Sequence, residues 1–372
     1  MKNTETLSND YVAAQESERK RVEREKLAPR GIKFRTVLML GAGGYLGVPI
    51  AHHLLRRGYH VINVDMAVYG HQNAASSLLS EDGYQYVAAD FANKSVIAEL
   101  ARQATDVVVL GGLVGDPITK KYPQEHQLVN ERGVRDAIDA CAGVGLNKLI
   151  FVSTCSNYGE IPEGALADEA YELKPLSLYA KAKVMQEQLL HDGEWDFDWT
   201  ILRFSTAFGL APRMRFDLTV NQFTRELYLG KDLEVYDPDT WRPYCHVRDF
   251  GRAIERVLSA PVDVVKNEVF NAGGDENNFT KAMIVEAICK QLPEAKFRLV
   301  SGGVDRRNYK VDFAKIRTRL HFEPQFSVEY GVSEILNALK DGYFADASEN
   351  ENFYGNYEVN YPIASTTTSG SA

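Results

Sequence analysis

The stretch GAGGYLG, residues 41–47, constrains this chain more than any other part of the sequence. It follows the apolar run VLML at residues 37–40 and holds four glycines in seven positions. Glycine loses more conformational freedom on ordering than any other residue, so the cluster indicates a need for unusual backbone angles or for absent side chains. One arrangement meets both needs: a buried strand, a tight turn and then a helix, here VPIAHHLLRRG. Loops between such a strand and helix bind phosphates.

Three of these glycines, Gly41, Gly44 and Gly47, have GxxGxxG spacing. In such a loop the first glycine allows the tight turn and the second lets the backbone approach a pyrophosphate. The third lets the helix pack on the strand. The alternative interpretation is an ordinary strand-to-helix turn without a ligand.

Strands and helices alternate along most of the chain. Apolar runs such as RTVLML, TDVVVLGG and KLIFVST alternate with helical segments such as VNERGVRDAIDACAGVG. Continuous apolar strands with intervening helices indicate a parallel sheet covered on both faces. We therefore predict the α/β class, with a Rossmann-type doubly wound parallel sheet and a smaller C-terminal α/β substrate-binding lobe.

Acidic residues follow the second and third predicted strands. Asp65 ends YHVINVD, about 20 residues after the loop, where a carboxylate binds the ribose hydroxyls of NAD and repels the additional phosphate of NADP. No arginine follows directly in DMAVYGHQN, so we predict NAD as the cofactor. Asp90 and Phe91 end the third strand, where a side chain can meet the adenine. Capping of the next helix is the alternative role for Asp90.

A tyrosine and a lysine stand four residues apart in YAKAK. Tyr179 and Lys183 therefore project from one face of the predicted helix SLYAKAKVMQEQLLHDG. An adjacent ammonium favours the phenolate, which can take a proton from a sugar hydroxyl near neutral pH. The segment FVSTCSNYG places Ser153 and Thr154 at the carboxyl edge of the fifth strand, where ligands of such sheets bind. A surface tyrosine beside a solvated lysine is the alternative.

Together these motifs resemble the extended short-chain dehydrogenase/reductase superfamily, and within it the NAD-dependent nucleotide-sugar epimerase/dehydratase family. The resemblance extends over residues 34–340. It implies that Thr154, Tyr179 and Lys183 are catalytic, with Tyr179 as the acid or base and Lys183 on the nicotinamide ribose. It also implies that the following residues bind the cofactor: Gly41, Gly44, Tyr45, Leu46, Gly47, Asp65, Asp90, Phe91, Leu110, Gly111, Asn130, Tyr179 and Lys183.

The resemblance further implies a nucleotide-diphosphate sugar as the substrate. Arg242 in RPYCHVRDFGRAI stands where the family's arginine contacts the diphosphate, and a guanidinium suits this role because its planar fork pairs with phosphate oxygens. Either Arg306 or Arg307 matches a second phosphate-binding arginine. The predicted substrate-binding residues are Ser156, Thr206, Asn221, Arg242, Arg306 and Arg307.

The sequence departs from the family's pattern at three positions. Dehydratases of the family follow their threonine with Asp-Glu, whereas this chain has Cys155 and Ser156 and so lacks that acid and base. Cys155 is also one residue out of register for the catalytic cysteine of the 3,5-epimerases, so we expect it to be a packed side chain. Thr206 replaces the usual asparagine of the sixth strand, which favours a sugar unlike galactose.

These observations predict an NAD-dependent nucleotide-sugar epimerase that acts by transient oxidation at a sugar carbon, with C4 favoured. The alternatives are a ketoreductase of nucleotide 4-keto-6-deoxysugars, a reductase of small carbonyl compounds and, in another class, a non-catalytic dinucleotide-binding sensor or scaffold. The resemblance also implies a homodimer that forms through the helix of Tyr179 and the helix ERGVRDAIDAC.

The two ends of the chain differ in composition from its middle, so we predict four segments. Residues 1–30 form a charged extension, expected as a solvated or frayed helix, with dimer contact as the alternative. Residues 31–205 form the NAD-binding domain and residues 206–345 the substrate-binding lobe, with a strand near 267–272 that returns to the first domain. Residues 346–372 form a polar tail, which we expect to be disordered at its end.

Charge and composition argue against other classes of function. The net charge of −9 argues against a nucleic-acid partner. No apolar run approaches the roughly 18 residues of a membrane helix, and MKNTETLSND lacks a signal peptide's apolar core. We therefore predict a cytoplasmic protein without a membrane partner. The cysteines form no CxxC pair, so no metal site is predicted, and they suit a reducing compartment: Cys141, Cys155, Cys245 and Cys289.

Overall fold

The computed structural model describes residues 9–303 and 305–362. A seven-stranded parallel sheet forms its centre, and its strands are β1 Thr36–Leu40, β2 His60–Val64, β3 Tyr84–Val87, β4 Asp106–Val109, β5 Lys148–Thr154, β6 Asp198–Phe204 and β10 Glu268–Ala272. The strand order is β10-β6-β5-β4-β1-β2-β3. The order reverses between β1 and β4, and the predicted Rossmann-type fold class is confirmed.

Helices cover both faces of this sheet and build most of the second lobe. They are α1 Asn9–Val22, α2 Gly47–Arg56, α3 Lys94–Ala101, α4 Asp116–Lys121, α5 Pro123–His126, α6 Val134–Ala140, α7 Leu178–Asp192, α8 Thr219–Tyr228, α9 Val247–Ser259, α10 Val262–Val265, α11 Lys281–Cys289, α12 Ala314–Leu320 and α13 Val328–Lys340. None of the helices within residues 9–303 and 305–362 is long and apolar enough to cross a membrane.

The continuous apolar strands form two hydrophobic clusters, one on each face. In β1, Val37 and Met39 join the cluster that contains residues of α2 and α9. The alternate residues Leu38 and Leu40 join the cluster that contains residues of α3, α6 and α7. Successive strand residues point to opposite faces, so a strand buried on both faces is apolar at every position.

The second lobe contains two small sheets. One has the strands β7 Thr206–Phe208, β9 Trp241–His246 and β11 Asn278–Thr280, and the other pairs β8 Leu233–Tyr236 with β12 Phe297–Val300. Apolar residues of α8, α11 and α13 pack together against these strands. The chain enters this lobe after β6 and returns to the large sheet at β10, which pairs with β6.

The charged N-terminal stretch is a packed element rather than the expected solvated extension. Helix α1 continues through a π-helical turn at Glu23–Leu27 and a short 3-10 turn at Ala28–Arg30. Glu18 is buried and lies 3.5 Å from the ammonium of Lys148, the first residue of β5. The segment therefore covers the amino ends of the strands, opposite the edge where ligands bind. Residues 1–8 lie outside the described residues.

Most of the described C-terminal segment, defined here as residues 341–362, is also packed against the rest of the protein. The amide of Phe216 donates to the carbonyl of Tyr354 at 2.7 Å, and the amide of Asn360 donates to the carbonyl of Val68 at 2.9 Å. Residues 346–362 are thus ordered on the carboxyl side of the sheet, which corrects the expected polar tail over this range. The expected disorder at residues 363–372 lies outside the described residues.

Candidate active site

A cleft of about 460 Å³ opens at the carboxyl ends of β1, β2, β4 and β5. It is bordered on the far side by the second lobe and by the C-terminal segment. Most of the residues predicted from the sequence line this cleft, namely Gly41, Gly44, Tyr45, Leu46, Gly47, Asp65, Asp90, Phe91, Leu110, Gly111, Thr154, Ser156, Tyr179, Lys183, Thr206, Arg242 and Arg307.

The three glycines of the GxxGxxG pattern differ in how closely neighbouring atoms approach them. Gly41 has φ +74°, and a Cβ atom there would lie 2.2 Å from the Cα atom of Gly111. A Cβ on Gly47 would lie 2.3 Å from the backbone of Ala42, which shows how closely α2 packs on the loop. At Gly44 a Cβ atom would make only ordinary contacts, 3.8 Å from His71 and 3.9 Å from Arg213, and this glycine lines the cleft just before α2.

Asp65 at the end of β2 is tied to the glycine loop. Its carboxylate accepts hydrogen bonds from the amides of Gly43, at 2.7 Å, and Ala67, at 2.6 Å. Burial alone would raise the pKa of Asp65, but His71 and these two amides lower it below its ordinary value. The carboxylate is therefore ionised and fixed where the ribose of a dinucleotide is expected.

Asp90 and Phe91 line the same end of the cleft. Asp90 does not cap α3, since Asn93 accepts the hydrogen bond from the Val96 amide. Instead, Asp90 accepts from the hydroxyl of Tyr361 at 2.6 Å. The ring of Phe91 packs against Gly111, where a Cβ atom would lie 2.6 Å from the ring.

Tyr179 and Lys183 lie on one face of α7, whose first turn is capped by the Ser177 hydroxyl. The Lys183 ammonium is 5.8 Å from the centre of the Tyr179 ring and donates to the carbonyl of Val152 at 2.7 Å. Burial lowers the pKa of Lys183 to about 7. Burial also raises the pKa of Tyr179 above its ordinary value, which differs from the lowered value expected from the sequence, and Arg215 is the cation that opposes this shift.

The end of β5 presents two hydroxyl groups to the cleft. The hydroxyls of Thr154 and Ser156 lie 3.0 Å apart, and Thr154 also accepts from the amide of Ser156. Cys155 points away from the cleft and its thiol is 3.1 Å from the carbonyl of Arg203. This thiol is buried, as expected for a packed side chain, and burial raises its pKa above the ordinary value.

A buried ion pair supports α7 beneath the catalytic candidates. Glu187, one turn after Lys183, pairs with Arg203 of β6 at 2.7 Å. Glu187 also accepts from the hydroxyl of Ser153 at 2.5 Å and from the side-chain amide of Asn157 at 2.8 Å. This network was not predicted from the sequence, because its members come from β5, the turn that follows it, α7 and β6.

Two arginines and an aspartate form the opposite end of the cleft. Arg242 donates to Asp305 at 2.8 Å and lies over the ring of Tyr309. Arg307 donates to the same carboxylate from Nε, at 2.8 Å, and from Nη2, at 2.7 Å. Burial would raise the pKa of Asp305, but Arg307 and Arg242 lower it strongly. One carboxylate is thus shared between two guanidinium groups, which leaves positive charge for an anionic ligand.

Three predicted residues lie outside the cleft. Asn221 is fully buried and is engaged by the Gly209 amide, the Tyr45 hydroxyl and the Arg215 carbonyl, so the structure does not bring it to a substrate diphosphate. Arg306 is exposed and pairs with Glu160 at the surface, which leaves Arg307 as the arginine in the cleft.

Asn130 is the third such residue. It holds the segment after β4, because its side chain accepts from the Leu113 amide at 2.6 Å and donates to the Leu113 carbonyl at 2.9 Å. Asn130 therefore organises a wall of the cleft instead of lining its main space, and it borders a small secondary pocket behind Tyr179.

Several residues that line the cleft were missed in the sequence. They are Arg213, Arg215, Lys281, Asn356 and Tyr361. The segment APRMRFD, residues 211–217, offered a signal, since it places two arginines directly after the strand β7. Nothing in the local sequence indicated that Asn356 and Tyr361 would reach the cleft.

The residues present suit a dinucleotide. The backbone at Gly44, which lines the cleft, and the amino end of α2 suit a pyrophosphate, and the ionised Asp65 suits a ribose diol. Within residues 9–303 and 305–362, no group of three or more histidine, cysteine or acidic residues is arranged to hold a metal ion.

The doubly wound sheet, the glycine loop and the acidic residue after β2 define a dinucleotide-binding protein of the Rossmann type. Residues 37–273 match the NAD dependent epimerase/dehydratase family, and the chain belongs to this family. The resemblance inferred from the motifs is thereby confirmed. The cofactor prediction is confirmed too, because the family is NAD-dependent.

Individual relatives are distant but match over nearly their whole length. The UDP-glucuronate 4-epimerase of Thermodesulfobacterium geofontis is 23% identical, over 82% of this chain and 96% of its own length. A crystal structure of UDP-glucuronic acid 4-epimerase from Bacillus cereus with UDP-glucuronic acid and NAD has a TM-score of 0.73 and 24% identity, over 83% of this chain and 100% of the other.

A dehydratase is equally similar in fold. The dTDP-glucose 4,6-dehydratase of Streptomyces venezuelae has a TM-score of 0.75 and 21% identity, over 83% of this chain and 98% of the other. At these identities the structural similarities establish the fold, and they do not separate the reactions.

Proposed function

We propose that the protein is an NAD-dependent nucleotide-sugar epimerase that transiently oxidises one carbon of the sugar, with C4 favoured. The observation that supports this proposal is the position of Tyr179 in a cleft with two different anion-binding ends. Tyr179 lines the same cleft as the glycine loop at one end and as Arg242 and Arg307 at the other. A reacting group at Tyr179 would be within the space that these two ends share.

The first end would hold NAD. The loop with Gly41, Gly44 and Gly47 would receive the pyrophosphate, Asp65 the adenosine ribose, and Lys183 the nicotinamide ribose. The chemistry that NAD supplies when bound is the reversible acceptance of a hydride.

The chain's own residues would move the proton. During oxidation the Tyr179 oxygen would take the proton of the sugar hydroxyl, and during reduction it would return that proton to the keto oxygen. The Thr154 hydroxyl would donate to the same sugar oxygen and orient it. Burial raises the pKa of Tyr179, so the base role depends on cations that lower this pKa, and Arg215 already acts in that direction.

The second end would hold the diphosphate of a nucleotide sugar. Arg242 and Arg307 share the charge of Asp305, and Lys281 lines the same part of the cleft. Forked guanidinium groups bind phosphate oxygens at two points, which suits recognition of a diphosphate. A small carbonyl compound would make no use of these groups.

The carboxylates of the cleft favour epimerisation over dehydration. Elimination of water needs an acid and a base beside Thr154, where this chain has Cys155 and Ser156. Within residues 9–303 and 305–362, each carboxylate that lines the cleft has at least one partner in the protein, although one oxygen of Asp116 has none; these residues are Asp65, Asp90, Asp116, Asp217 and Asp305.

The state of the cofactor tests the proposal. The purified protein would be denatured and the released dinucleotide identified and quantified by chromatography. We expect NAD at close to one per chain, because an epimerase regenerates its cofactor in each cycle. Screening of UDP-, GDP-, CDP- and dTDP-sugars should then give epimer formation without added NAD. Consumption of NADH or NADPH that requires a keto-sugar would contradict the proposal and favour the ketoreductase.

Replacement of Arg242 tests the substrate class. The change Arg242→Ala should raise KM for the nucleotide sugar about 10- to 100-fold, because a charge-assisted contact to the diphosphate is lost. Steady-state kinetics would measure this effect, with bound NAD quantified as the control. An unchanged KM would contradict recognition of the diphosphate by this end of the cleft.

A further inference from the structure

Arg213 stands out among the buried arginines of this protein. Arg203, Arg215 and Arg242 are also buried, and each of them pairs with a carboxylate. Arg213 is 3% exposed, yet none of the carboxylates within residues 9–303 and 305–362 forms an ion pair with it. A buried charge without a counterion is costly, so its presence requires an explanation.

The hydrogen bonds of Arg213 leave part of its guanidinium free. One terminal nitrogen, Nη2, donates to the carbonyl of Gly355 at 2.8 Å and to the side-chain oxygen of Asn356 at 2.9 Å. The Nε atom is buried and has no partner among the described residues. Burial and the neighbouring Arg215 lower the pKa of Arg213 to about 10, which still leaves it charged at neutral pH.

The unused side of this guanidinium faces the glycine loop. Its Nη1 atom would lie 3.9 Å from a Cβ atom on Gly44, the glycine of the loop that lines the cleft just before α2. Its planar group lies over the ring of Tyr69, with 4.7 Å to the ring centre, which fixes its orientation. The Nη1 side of the guanidinium therefore lies beside the glycine loop, in the part of the cleft that suits a pyrophosphate.

The C-terminal segment holds Arg213 in this position. Asn356 accepts from Arg213, donates to the carbonyl of Val114 at 3.1 Å and so links the segment to the cleft wall after β4. Further along, the hydroxyl of Tyr361 donates to Asp90 at the adenine end. The same segment thus contacts both the pyrophosphate and the adenine portions of the expected cofactor site.

We propose that Arg213 is the counter-cation of the cofactor's pyrophosphate, and that the C-terminal segment is the part of the cofactor site that positions it. The negative charges of a pyrophosphate would be met by the amino end of α2 on one side and by Arg213 on the other. This inference rests on the dinucleotide site of the proposed function and not on its reaction.

Ligands with and without phosphates test the inference. Affinities for NAD, ADP and adenosine would be measured by calorimetry on cofactor-stripped protein, for wild type, Arg213→Gln and the control Arg298→Gln, which removes an exposed cation. We expect Arg213→Gln to weaken NAD and ADP about 10- to 100-fold and adenosine less than twofold. The control should leave all three affinities unchanged.

A second pair of variants keeps the guanidinium and removes its support. Asn356→Ala should weaken ADP about 3- to 10-fold, because Arg213 loses the acceptor that orients it. Asn350→Ala, which truncates an exposed asparagine of the same segment outside the cleft, should leave the affinity for ADP within twofold. Thermal unfolding without ligand would verify that each variant is folded, and these two remain informative if Arg213→Gln does not fold.

Two results would overturn the inference. One is an unchanged affinity for ADP in both Arg213→Gln and Asn356→Ala. The other is an equal loss of affinity for ADP and adenosine, since that would indicate a general disturbance of the cleft. Affinity for ADP tests the role of Arg213, whereas conversion of nucleotide sugars tests the proposed function. Either proposal can therefore fail independently of the other.

Discussion

Lys183 keeps its ammonium in a fully buried position. The ammonium is 4.7 Å from the centre of the Phe151 ring and donates to the carbonyl of Val152. Burial lowers its pKa to about 7, although Glu187 raises it in part. Burial alone can lower a lysine pKa in this way, but Lys183 lines the cleft and lies beside the candidate acid and base.

The lowered pKa of Lys183 predicts a pH dependence of stability. The unfolded chain, with a lysine pKa near 10.4, binds the proton between about pH 7 and pH 10, where the folded chain does not. Stability therefore rises with pH over this interval. For cofactor-stripped protein, the unfolding free energy of wild type minus that of Lys183→Met should increase by about 1 kcal/mol per pH unit between pH 7.5 and 9.5.

Urea unfolding at several pH values would measure this difference. The comparison with Lys183→Met is needed because burial also lowers the pKa of Lys148 to about 7, so the slope of the wild type alone contains both lysines. A difference that stays constant with pH would contradict the lowered pKa of Lys183.

Removal of one hydroxyl tests the role of Tyr179. The change Tyr179→Phe should lower kcat about 10²- to 10⁴-fold, because the proton carrier is lost while the ring still packs. Bound NAD, quantified after denaturation, should stay at the wild-type level. Tyr343→Phe, at a tyrosine that is 72% exposed, serves as the control and should keep full activity. Undiminished turnover in Tyr179→Phe would contradict the role of Tyr179 as the acid and base.

At the scale of elements, α1 shows that a charge-rich helix can pack against the edge of a sheet as part of the fold. Its buried Glu18 lies between Arg21, at 2.9 Å, and Lys148 of β5. Lys148 is itself fully buried and donates to three carbonyls at the end of α9 and just beyond it. Because the strands of a parallel sheet start at this edge, α1 closes the sheet on the side away from the cleft.

The buried pair of α1 predicts a stability effect without a functional one. Glu18→Gln should lower the unfolding free energy by about 1–3 kcal/mol, because Arg21 and Lys148 both lose a buried carboxylate partner. The matched control Glu16→Gln removes an exposed carboxylate of the same helix and should have a much smaller effect. Urea unfolding would measure both values. Equal effects of the two changes, or a loss of bound NAD in Glu18→Gln, would contradict this account.

The elements that could be predicted from the sequence are those whose signal is local. The glycine loop, the apolar strands and the helix of Tyr179 and Lys183 each carry their pattern within about 20 residues. Their order along the chain also fixed the topology, because parallel strands joined by helices permit few arrangements. The placement of Thr154, Tyr179 and Lys183 in one cleft followed from that topology.

The features that could not be predicted depend on contacts between distant parts of the chain. Tyr361 reaches Asp90 across 271 positions, and Arg213 meets Asn356 across 143. Asn221 has the expected residue type at the expected position, but the Tyr45 hydroxyl and the Gly209 amide occupy its side chain. Residue type alone does not report which partner a buried polar group finds.

At the scale of the whole molecule, α7 presents apolar side chains to the surface. Leu178 and Met185 are 38% and 45% exposed and lie seven residues apart, on one face of the helix. We propose that this face forms the homodimer contact that the resemblance implies. The contact would lie on the back of the helix that carries Tyr179 and Lys183.

Introduction of a charge on this face tests the dimer. Met185→Glu should shift the protein from dimer to monomer at micromolar concentration, because an ionised carboxylate is costly to bury in an apolar contact. Sedimentation velocity would measure the shift. The control Leu229→Glu adds the same charge at a leucine that is 50% exposed on the other lobe, and it should leave the dimer intact. A monomeric wild type would contradict the proposed contact.

The position of the C-terminal segment has a consequence for the order in which the protein is made. The glycine loop is translated within the first 50 residues, whereas Asn356 and Tyr361 leave the ribosome more than 300 residues later. The sheet that carries the cleft is complete only with β10, which ends 84 residues before Asn356, so at roughly 5–20 residues per second the cleft stays uncovered for about 4–17 s of synthesis. A dinucleotide taken up in that interval would be enclosed when the C-terminal segment packs onto the cleft, so cellular NAD can become a component of assembly as well as of the reaction.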